Sequence, residues 1–226
     1  MTQDEAKGLV AKRAAELVED GMAVGLGTGT TATLFIRELA ARKLKIRCVA
    51  SSDASHDLGR QLGMDVVTLA ELPELDIYID GADEVCVVPG GLDLIKGGGG
   101  ALLREKIVAS AAKEFICVVD SSKMVKMLGK FPLPVEVVKM ALPLVEPRLA
   151  GLGFTPKLRM KKDGSGIFVT DEGNYILDCW SEGIAEPEST AAEIRSIVGV
   201  VEHGLFLGMA TVALVAGEDG VKEYRA

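Results

Sequence analysis

Histidine and aromatic residues are scarce in this sequence, whose 226 residues include two histidines, one tryptophan and 4% aromatic residues. A Ser-His-Asp triad or a histidine-rich zinc site would need a histidine among suitable partners. His56 begins a predicted helix and His203 follows an apolar stretch, so we interpret both as structural. The shortage of histidine argues against most histidine-based chemistry, and few aromatics beside 26 glycines favour an α/β protein over a β-sandwich.

Closely spaced cysteines and long apolar runs are also missing. The four cysteines stand far apart, without a Cys-x-x-Cys pair, at Cys48, Cys86, Cys117 and Cys179. This spacing indicates small buried hydrophobes rather than disulfides or metal ligands. No stretch is long and apolar enough to span a bilayer, and no targeting segment is recognisable. We therefore expect a cytoplasmic protein that does not enter a membrane.

Positive charge is in deficit, with 25 Lys and Arg against 33 Asp and Glu, which leaves a net charge of −8 at pH 7. Nucleic acids and anionic membranes are bound largely through clustered Lys and Arg, so neither is an expected partner. Any phosphorylated ligand must therefore be a small molecule whose charge is neutralised locally.

Strands and helices alternate along most of the chain. The apolar patterns predict strands over residues 22–26, 46–50, 65–69, 75–80, 92–95, 116–119 and 212–216. A capping box at Thr2 and Glu5 opens the first helix, which ends at Asp20 and Gly21. Further helices are predicted over residues 30–42, 55–62 and 101–113. Such alternation predicts a Rossmann-like, mostly parallel sheet covered by helices on both faces.

The pattern changes after the proline-containing segment 130–134. Strands are predicted over residues 135–138, 156–160, 167–170, 175–179 and 200–202, and helices over residues 142–152 and 190–198. This order predicts a small ferredoxin-like α+β domain. We expect residues 1–130 and 204–226 to form the catalytic domain, with the small domain inserted as residues 131–203.

Four consecutive glycines at positions 97–100 separate a predicted strand from a predicted helix. Glycine is favoured where a backbone turns through positive φ or passes close to another group. In the following helix we expect Leu103, Ile107 and Ala111 to face the core. Glu105 lies in the second turn, has small apolar neighbours and lacks a lysine four residues later. Burial there would raise its pKa toward neutrality, as a general base requires.

Two acids follow the strand predicted over residues 75–80. Asp80 ends that strand, Gly81 makes the turn, and Asp83 comes next. We expect both carboxylates to face one cavity, where each would raise the other's pKa and they could divide into an acid and a base. A Mg²⁺ site or ordinary turn chemistry are the alternatives. With Lys96 expected nearby as a cation, we favour a site without metal.

The turn over residues 25–31 leads into a helix N-terminus, where free amide groups and the helix dipole favour an anion. The hydroxyls of Thr28, Thr30 and Thr31 add donors, so a phosphate is the expected occupant, although a threonine-capped turn is an alternative. The same turn fits Gly-x-Gly-x-x-Ala, and Asp53 lies near the distance expected for the ribose-binding acid of a dinucleotide fold. An NAD-dependent dehydrogenase is thus a second interpretation, although it does not explain the glycine run and its acids.

Polar loops also follow other predicted strands. Residues 51–55 follow one strand and residues 120–123, which include Lys123, follow another. Ligands of open α/β sheets bind at the carboxyl ends of the strands, so these loops should share a rim with Lys96 and Glu105. A non-catalytic sugar-phosphate sensor is a third interpretation, but a sensor would not need an unpaired glutamate beside a lysine.

Five segments carry specific motifs. They are Gly25-x-Gly-Thr-Gly-Thr-Thr-Ala32, Ser51-Ser-Asp-Ala-Ser55, Asp80-Gly-Ala-Asp-Glu84, Lys96-Gly-Gly-Gly-Gly100 with Arg104-Glu-Lys106, and Lys130-Phe-Pro-Leu-Pro-Val-Glu136. Together they resemble ribose-5-phosphate isomerase of the A type, essentially from end to end. The resemblance implies a two-domain enzyme that interconverts D-ribose 5-phosphate and D-ribulose 5-phosphate without a metal or other cofactor, as a homodimer or homotetramer.

The resemblance also implies roles for individual residues. Glu105 would move a proton between C2 and C1 through a cis-enediol intermediate, and Lys96 would stabilise the developing oxyanion. Asp80 and Asp83 would assist ring opening. The residues expected to bind the phosphate and hydroxyl groups are Lys7, Thr28, Gly29, Thr30, Thr31, Gly97, Gly98, Gly99 and Lys123. Without the resemblance, Lys7 would equally be interpreted as a solvated lysine.

Overall fold

The computed structural model describes all residues of the chain, 1–226. The helices are α1 (Gln3–Ala15), α2 (Thr30–Ala41), α3 (Asp53–Gln61), α4 (Leu102–Ser110), α5 (Leu142–Gly151) and α6 (Pro187–Ser196). The strands are β1 (Ala23–Leu26), β2 (Arg47–Ala50), β3 (Asp65–Val66), β4 (Leu75–Asp80), β5 (Glu84–Val88), β6 (Gly91–Ile95), β7 (Ala112–Asp120), β8 (Met124–Val125), β9 (Leu133–Val137), β10 (Thr155–Leu158), β11 (Tyr175–Trp180), β12 (Val200–His203), β13 (Leu205–Leu207), β14 (Val212–Gly217) and β15 (Gly220–Arg225). None of the helices combines the length and the apolar character needed to cross a membrane.

Seven strands form the main sheet, in the order β15-β14-β7-β4-β1-β2-β3. All neighbouring strands are parallel except β15, which runs antiparallel at one edge. Ile77 and Ile79 share one core with side chains of α1 and α2, whereas Tyr78 shares the other core with Val108 of α4. Successive side chains of a strand point to opposite faces, so a strand buried on both faces is apolar throughout. The predicted Rossmann-like sheet with helices on both faces is confirmed.

The order in which successive strands are added to this sheet reverses between β1 and β4. Strands β1, β2 and β3 follow one another toward one edge, and β4, β7 and β14 follow one another toward the other. At such a switch point the loops leaving the two central strands diverge and open a crevice at the carboxyl ends of the strands. The glycine turn after β1 and the acids after β4 both lie at this crevice.

A smaller sheet in the order β13-β6-β5-β8 was not predicted from the sequence. Strands β5 and β6 form an antiparallel hairpin, whose turn contains Gly90 with a φ of 76°. Strand β6 corresponds to the strand predicted over residues 92–95, but it pairs with β5 and β13 rather than with the parallel sheet. Lys96 and the glycine run nevertheless follow directly after β6 and lie at the crevice.

A third sheet is antiparallel, in the order β10-β11-β9-β12. Together with α5 and α6 it follows the chain order βαββαβ, so the ferredoxin-like arrangement is confirmed. Its core residues Val135, Leu177 and Ile194 join the core of the β5–β6 hairpin through Ile95. The predicted limits of this domain at residues 131 and 203 stay a prediction.

Several local predictions of element bounds are wrong. The first helix, predicted to end at Asp20 and Gly21, ends at Ala15, and the strand predicted over residues 65–69 ends at Val66. The helix predicted over residues 101–113 ends at Ser110, because Ala112 already pairs with Leu75 in the main sheet and this pairing outweighs helix propensity. The strand predicted over residues 167–170 is reduced to a single bridge between Ile167 and Met160. Beyond that bridge, the ring of Phe168 turns toward the glycine run, and the hydroxyl of Thr170 donates a hydrogen bond to a buried glutamate.

Candidate active site

A polar cavity opens at the switch point of the main sheet. Every site residue predicted from the sequence lines this cavity except Asp80, which accepts hydrogen bonds from three of the lining residues from behind. The lining residues are Gln3, Lys7, Thr28, Gly29, Thr30, Thr31, Gly81, Ala82, Asp83, Lys96, Gly97, Gly98, Gly99, Glu105 and Lys123. Almost all of them offer a charge, a hydroxyl or an exposed backbone group. The cavity is therefore suited to a small polar or phosphorylated ligand.

Asp80 is fully buried and is held by four hydrogen bonds. Its Oδ1 accepts from the backbone amides of Thr28 and Gly81, at 2.9 and 2.8 Å. Its Oδ2 accepts from the Nζ of Lys96 at 2.8 Å and from the hydroxyl of Tyr78. The expectation that Asp80 and the second acid both face the cavity is therefore wrong for Asp80, because its oxygens are occupied by donors of the protein. Asp80 fixes the Lys96 ammonium from behind.

Lys96 is 3% exposed and lies between two carboxyl groups. Its Nζ is 2.8 Å from Oδ2 of Asp80 and 3.4 Å from Oε2 of Glu105, and the ring centroids of Phe115 and Phe206 lie 6.0 and 5.5 Å away. Burial alone would lower the pKa of Lys96, but the neighbouring carboxylates outweigh burial and raise it. Lys96 is therefore a permanent cation in the cavity wall.

Glu105 is the proton-transfer group predicted from the sequence, and it is 3% exposed. Its Oε2 has no hydrogen-bond partner, and its nearest cation is the Lys96 ammonium. Burial raises the pKa of Glu105 to about 8 against the opposing effect of Lys96, and the charges of Asp80 and Asp83 add to the rise. A carboxyl group with a pKa near neutrality and no fixed hydrogen-bond donor can take up and release a proton.

The face of α4 that carries Glu105 is the buried face. Leu102, Lys106 and Val108 are buried with it, whereas Ile107 is 45% exposed. The prediction that Ile107 faces the core is therefore wrong. Apolar spacing alone could not show that two successive charged residues both find partners inside the protein.

The glycine run wraps around Asp83, which lines the cavity. The amide of Gly98 donates to Oδ2 of Asp83 at 2.7 Å, and a Cβ on Gly98 would lie only 2.5 Å from Oδ1. Gly97 and Gly100 have φ values of 102° and 92°, in the region that other residues rarely adopt. Burial raises the pKa of Asp83, and the hydrogen bond from Gly98 and the charge of Lys96 offset part of that rise.

The turn after β1 presents the N-terminus of α2 to the cavity. Gly29 is the N-cap residue, with a φ of 96° and no side chain to cap the helix. The first amide groups of α2 have no acceptor within the helix, and Thr30 and Thr31 of that turn line the cavity. Lys7 from α1 and Lys123 from the loop after β7 line the same cavity. This combination of amides, hydroxyls and two ammonium groups fits a phosphate.

Thr28 is supported from behind by a chain of buried hydroxyl groups. Its Oγ1 lies 2.8 Å from Oγ of Ser51 and donates to Oγ of Ser52 at 2.9 Å. Ser52 in turn bonds Ser55 and caps α3. The loop 51–55, expected on the rim of the ligand site, therefore positions Thr28 and does not itself line the cavity.

Asp53, the acid required by the dinucleotide interpretation, does not line the cavity. Its carboxylate accepts a hydrogen bond from Arg104 at 2.6 Å, and its amide donates to Asp171 at 3.0 Å. A ribose-binding acid needs an oxygen directed at the ligand, and Asp53 lies outside the cavity. The dinucleotide interpretation therefore lacks its acid in this structure.

Side chains that could ligate a metal ion are not grouped in a suitable arrangement. No group of three or more His, Cys, Asp or Glu is arranged to hold a metal ion. All four cysteines are buried free thiols, as predicted, and burial raises the pKa of Cys117 to about 12. His56 is half exposed beside Asp57, whereas His203 is buried next to Lys106.

Two residues at the site were missed by the sequence analysis. Arg159, which follows β10, donates from Nη1 to the backbone oxygen of Gly97 at 2.8 Å and forms an ion pair with Asp178. Gln3 lines the cavity and donates to Oδ2 of Asp120 at 3.2 Å. These contacts join residues 62 and 117 positions apart, so no local sequence signal could have revealed them.

Comparisons with known proteins agree with this geometry. A family model described as ribose 5-phosphate isomerase A (phosphoriboisomerase A) matches residues 47–220. The ribose-5-phosphate isomerase A of Caulobacter sp. (strain K31) is 48% identical, over 98% of this chain and 98% of its own length. The solved ribose 5-phosphate isomerase A of Methanocaldococcus jannaschii is 42% identical, with a TM-score of 0.94 and full coverage of both chains. A further structure, D-ribose-5-phosphate isomerase in complex with phospho-erythronic acid, is 34% identical, with a TM-score of 0.95 and full coverage of both chains.

Proposed function

This chain belongs to the ribose 5-phosphate isomerase A family, and on that premise we propose that it interconverts D-ribose 5-phosphate and D-ribulose 5-phosphate by acid–base proton transfer. The observation that carries the proposal is the Glu105 carboxyl group, which is buried in the cavity wall 3.4 Å from the Lys96 ammonium. Moving a hydrogen between adjacent sugar carbons needs one base that reaches both carbons, a cation for the oxygen, and an anchor for the phosphate. The cavity offers all three.

Proton transfer begins from the open-chain aldose and the Glu105 carboxylate. Glu105 takes the proton from C2, a C1–C2 double bond forms, and the C1 carbonyl oxygen gains negative charge and then a proton. The resulting enediol loses the proton of its C2 hydroxyl to solvent, which balances the proton that the C1 oxygen took up from solvent. C1 then receives the proton held by Glu105, and the carbonyl is now at C2. Lys96 stabilises the oxygen while it carries negative charge, an effect worth roughly 10²–10³-fold in rate for one well-placed donor.

Ring opening precedes proton transfer, and the two aspartates have different parts in it. Asp83 lines the cavity, and burial raises its pKa, so it is suited to exchange a proton with the ring or anomeric oxygen. Asp80 does not line the cavity, and its hydrogen bonds hold Lys96. We therefore assign the proton exchange in ring opening to Asp83 and the placement of Lys96 to Asp80.

The phosphate lies at the N-terminus of α2 in this proposal. The free amides of the first turn, the threonine hydroxyls and the ammonium groups of Lys7 and Lys123 all line that end of the cavity. Gly97, Gly98 and Gly99 line the same cavity. The solved relative in complex with phospho-erythronic acid supports a phosphorylated ligand of this size.

We propose that the reaction needs no metal ion or organic cofactor. The Lys96 ammonium already supplies the positive charge that a metal would bring to the oxygen. The test is a coupled assay with ribose 5-phosphate, run with and without EDTA. Conversion that resists chelation supports the proposal, loss of activity restored by Mg²⁺ contradicts the metal-free site, and a change in absorbance that depends on NAD would point to the dehydrogenase.

We further propose a homodimer or homotetramer in the cytoplasm, with domains divided at residues 131 and 203. Four free thiols are typical of a reducing compartment. Exposed apolar side chains at Met140 (90%) and Val198 (73%) are the kind of surface that a second subunit covers. Light scattering coupled to size-exclusion chromatography would test the oligomeric state, and a monomer at micromolar concentration would contradict it.

A further inference from the structure

A second set of charged side chains lies outside the active-site cavity, around Lys106. Its side chain is 10% exposed, and its Nζ donates to Oε1 of Glu202 at 2.9 Å and to the backbone oxygen of His203 at 2.6 Å. The same ammonium lies 4.7 Å from the ring centroid of Phe206. Lysine is seldom buried unless it is paired, and here its three donors face two oxygens and an aromatic ring. The side chain is thus fully engaged by the protein.

Lys106 connects the helix of the proton-transfer group to another part of the fold. It follows Glu105 directly in α4, whereas Glu202 and His203 belong to β12 of the ferredoxin-like sheet. Helix α4 is only nine residues long, has no side-chain N-cap and follows four glycines. The Glu105 carboxyl group has no hydrogen bond at Oε2 to hold it. The position of the Glu105 carboxyl group therefore depends on the contacts that fix α4 relative to the rest of the fold.

The same segment of chain also holds Lys96. The backbone oxygen of Gly204 accepts from the amide of Lys96 at 2.9 Å, and a Cβ on Gly204 would lie 2.2 Å from the Lys96 carbonyl oxygen. The ring centroid of Phe206 lies near both ammonium groups, 5.5 Å from the Nζ of Lys96 and 4.7 Å from the Nζ of Lys106. Residues 202–206 thus contact both the helix that carries Glu105 and the strand end that carries Lys96.

We propose that Lys106 is a positioning residue, which holds α4 against residues 202–206 and thereby keeps the Glu105 carboxyl group 3.4 Å from the Lys96 ammonium. Lys106 acts through Glu105 and does not line the active-site cavity. Arg195 of α6 donates to both oxygens of Glu202 at 2.9 Å and so orients the acceptor of the pair. The inference rests on the proposed function, in which Glu105 is the base.

Steady-state kinetics of Lys106→Met with ribose 5-phosphate test the inference. Methionine keeps the length of the side chain but removes its charge and donors, so Glu105 moves relative to Lys96. We expect turnover to fall about 10-fold or more with KM changed less than about twofold, since a misplacement of 1 Å can cost about 10²-fold. The acid limb of the kcat/KM profile should also move to higher pH, because Glu105 loses part of its attraction to Lys96.

Arg42→Met is the matched control. The Arg42 guanidinium donates to the backbone oxygens of Ala15 and Val18. None of these residues lines the active-site cavity. The substitution therefore removes a charged side chain whose hydrogen bonds stabilise the fold but do not touch the site. We expect it to lower the melting temperature without moving turnover or the acid limb. A folded Lys106→Met enzyme with normal turnover and a normal acid limb, or with a rise in KM alone, overturns the inference.

Glu202→Gln keeps the test decisive if Lys106→Met does not fold. It weakens the ion pair but leaves the His203 oxygen as an acceptor, so we expect a smaller loss of turnover and the same direction of shift in the acid limb. A folded Glu202→Gln enzyme with the wild-type profile overturns the inference. Wild-type protein that does not convert ribose 5-phosphate overturns the proposed function and the inference with it, whereas active wild type with an unaffected Lys106→Met overturns the inference alone.

Discussion

Three ionisable side chains are buried next to one another at the cavity: Lys96 and Glu105 line it, and Asp80 lies behind Lys96. An unpaired charge in such surroundings would be very costly, so each of the three depends on the partners that it meets. The Asp80 carboxylate lies 2.8 Å from the Lys96 ammonium and receives three further hydrogen bonds, whereas Glu105 lies 3.4 Å away and lacks a partner at Oε2. Glu105 is thus the member of the trio that can exchange its proton near neutral pH.

Glu105→Gln is the most direct test at the scale of one residue. Glutamine keeps the shape of the side chain but cannot accept a proton, so we expect turnover to fall by roughly 10²–10⁴-fold while KM stays nearly unchanged. Glu136→Gln is the control, because Glu136 is also a buried carboxyl group whose pKa is raised by burial, but it binds Thr170 and Asn174 away from the cavity. Near-normal turnover of Glu105→Gln would refute its role as the base.

The pH dependence of the wild-type enzyme follows from the same burial. Below its raised pKa of about 8 Glu105 is protonated and cannot act as the base, so kcat/KM should rise with pH and level off above that region. Initial rates between pH 5.5 and about pH 9.5 would locate this acid limb, since kcat/KM reports the free enzyme. An acid limb near the ordinary glutamate pKa of about 4.3 would contradict the desolvated setting of the carboxyl group.

At the scale of elements, glycine-rich turns bring the backbone within hydrogen-bonding distance of the acids. A Cβ on Gly27 would lie 2.3 Å from Oδ1 of Asp80, and one on Gly98 would lie 2.5 Å from Oδ1 of Asp83. Contacts below about 3 Å are not compatible with a real side chain, so these two positions need glycine for space rather than for φ. The two loops thus enclose the carboxylates that the site depends on.

Gly98→Ala tests the role of the glycine run. The added methyl group would push the Asp83 carboxylate away or break its 2.7 Å hydrogen bond from the Gly98 amide, so we expect turnover to fall at least about tenfold. Gly91→Ala, at the start of the β6 strand that precedes the glycine run, is the control, because its Cβ would make only an ordinary contact 3.6 Å from Val88. Equal turnover in the two variants would show that the close packing of Asp83 has no part in the reaction.

The identity of α4 as a helix was clear from its sequence, but its orientation was not. Ile107 has the apolar character of a core residue and is nonetheless 45% exposed, whereas Glu105 and Lys106 are buried. The free energy of burying a charge depends on the partner that it meets, and the partners of Glu105 and Lys106 are Lys96, just after β6, and Glu202 in β12. A helix taken alone contains no information about them.

At the scale of the whole molecule, the site is assembled from three sheets. The main sheet supplies the acids after β4, the small mixed sheet supplies Lys96 after β6, and the ferredoxin-like sheet contributes Arg159. The Arg159 guanidinium is anchored by Asp178 and donates to the Gly97 oxygen at 2.8 Å. The glycine run is therefore held from the small domain as well as from the main sheet.

Arg159→Met tests this connection between the domains. Removal of the guanidinium frees the Gly97 carbonyl group and leaves Asp178 without its ion pair, so we expect turnover to fall roughly tenfold and KM to rise. Urea titration should show a loss of about 1–3 kcal/mol in the free energy of unfolding. Lys157→Met, in the β10 strand that precedes Arg159, is the control, since Lys157 contacts the Trp180 ring. If both variants keep wild-type kinetics, the small domain does not position the loop.

The alternation of strands and helices, the ferredoxin-like insertion and the residues of the cavity could be predicted from the sequence. Local sequence patterns indicate these features: apolar periodicity, turn residues, and polar groups at the ends of strands. A parallel sheet brings the carboxyl ends of its strands to one edge, and the polar groups with them. Asp83, Lys96 and Glu105 line the predicted cavity for this reason. The sequence by itself therefore determined the kind of fold and the chemistry available at its crevice.

Only the tertiary structure decided which of these groups are occupied by hydrogen bonds within the protein and which can contact a ligand. It placed Asp80 behind the cavity rather than in it, turned the charged face of α4 inward, and supplied Arg159 and Lys106 from contacts across 62 and 96 positions of the chain. The physical reason is that desolvation and ion pairing depend on neighbours in space. Segments distant in the sequence supply those neighbours, and only the packing of the three sheets determines which segments meet.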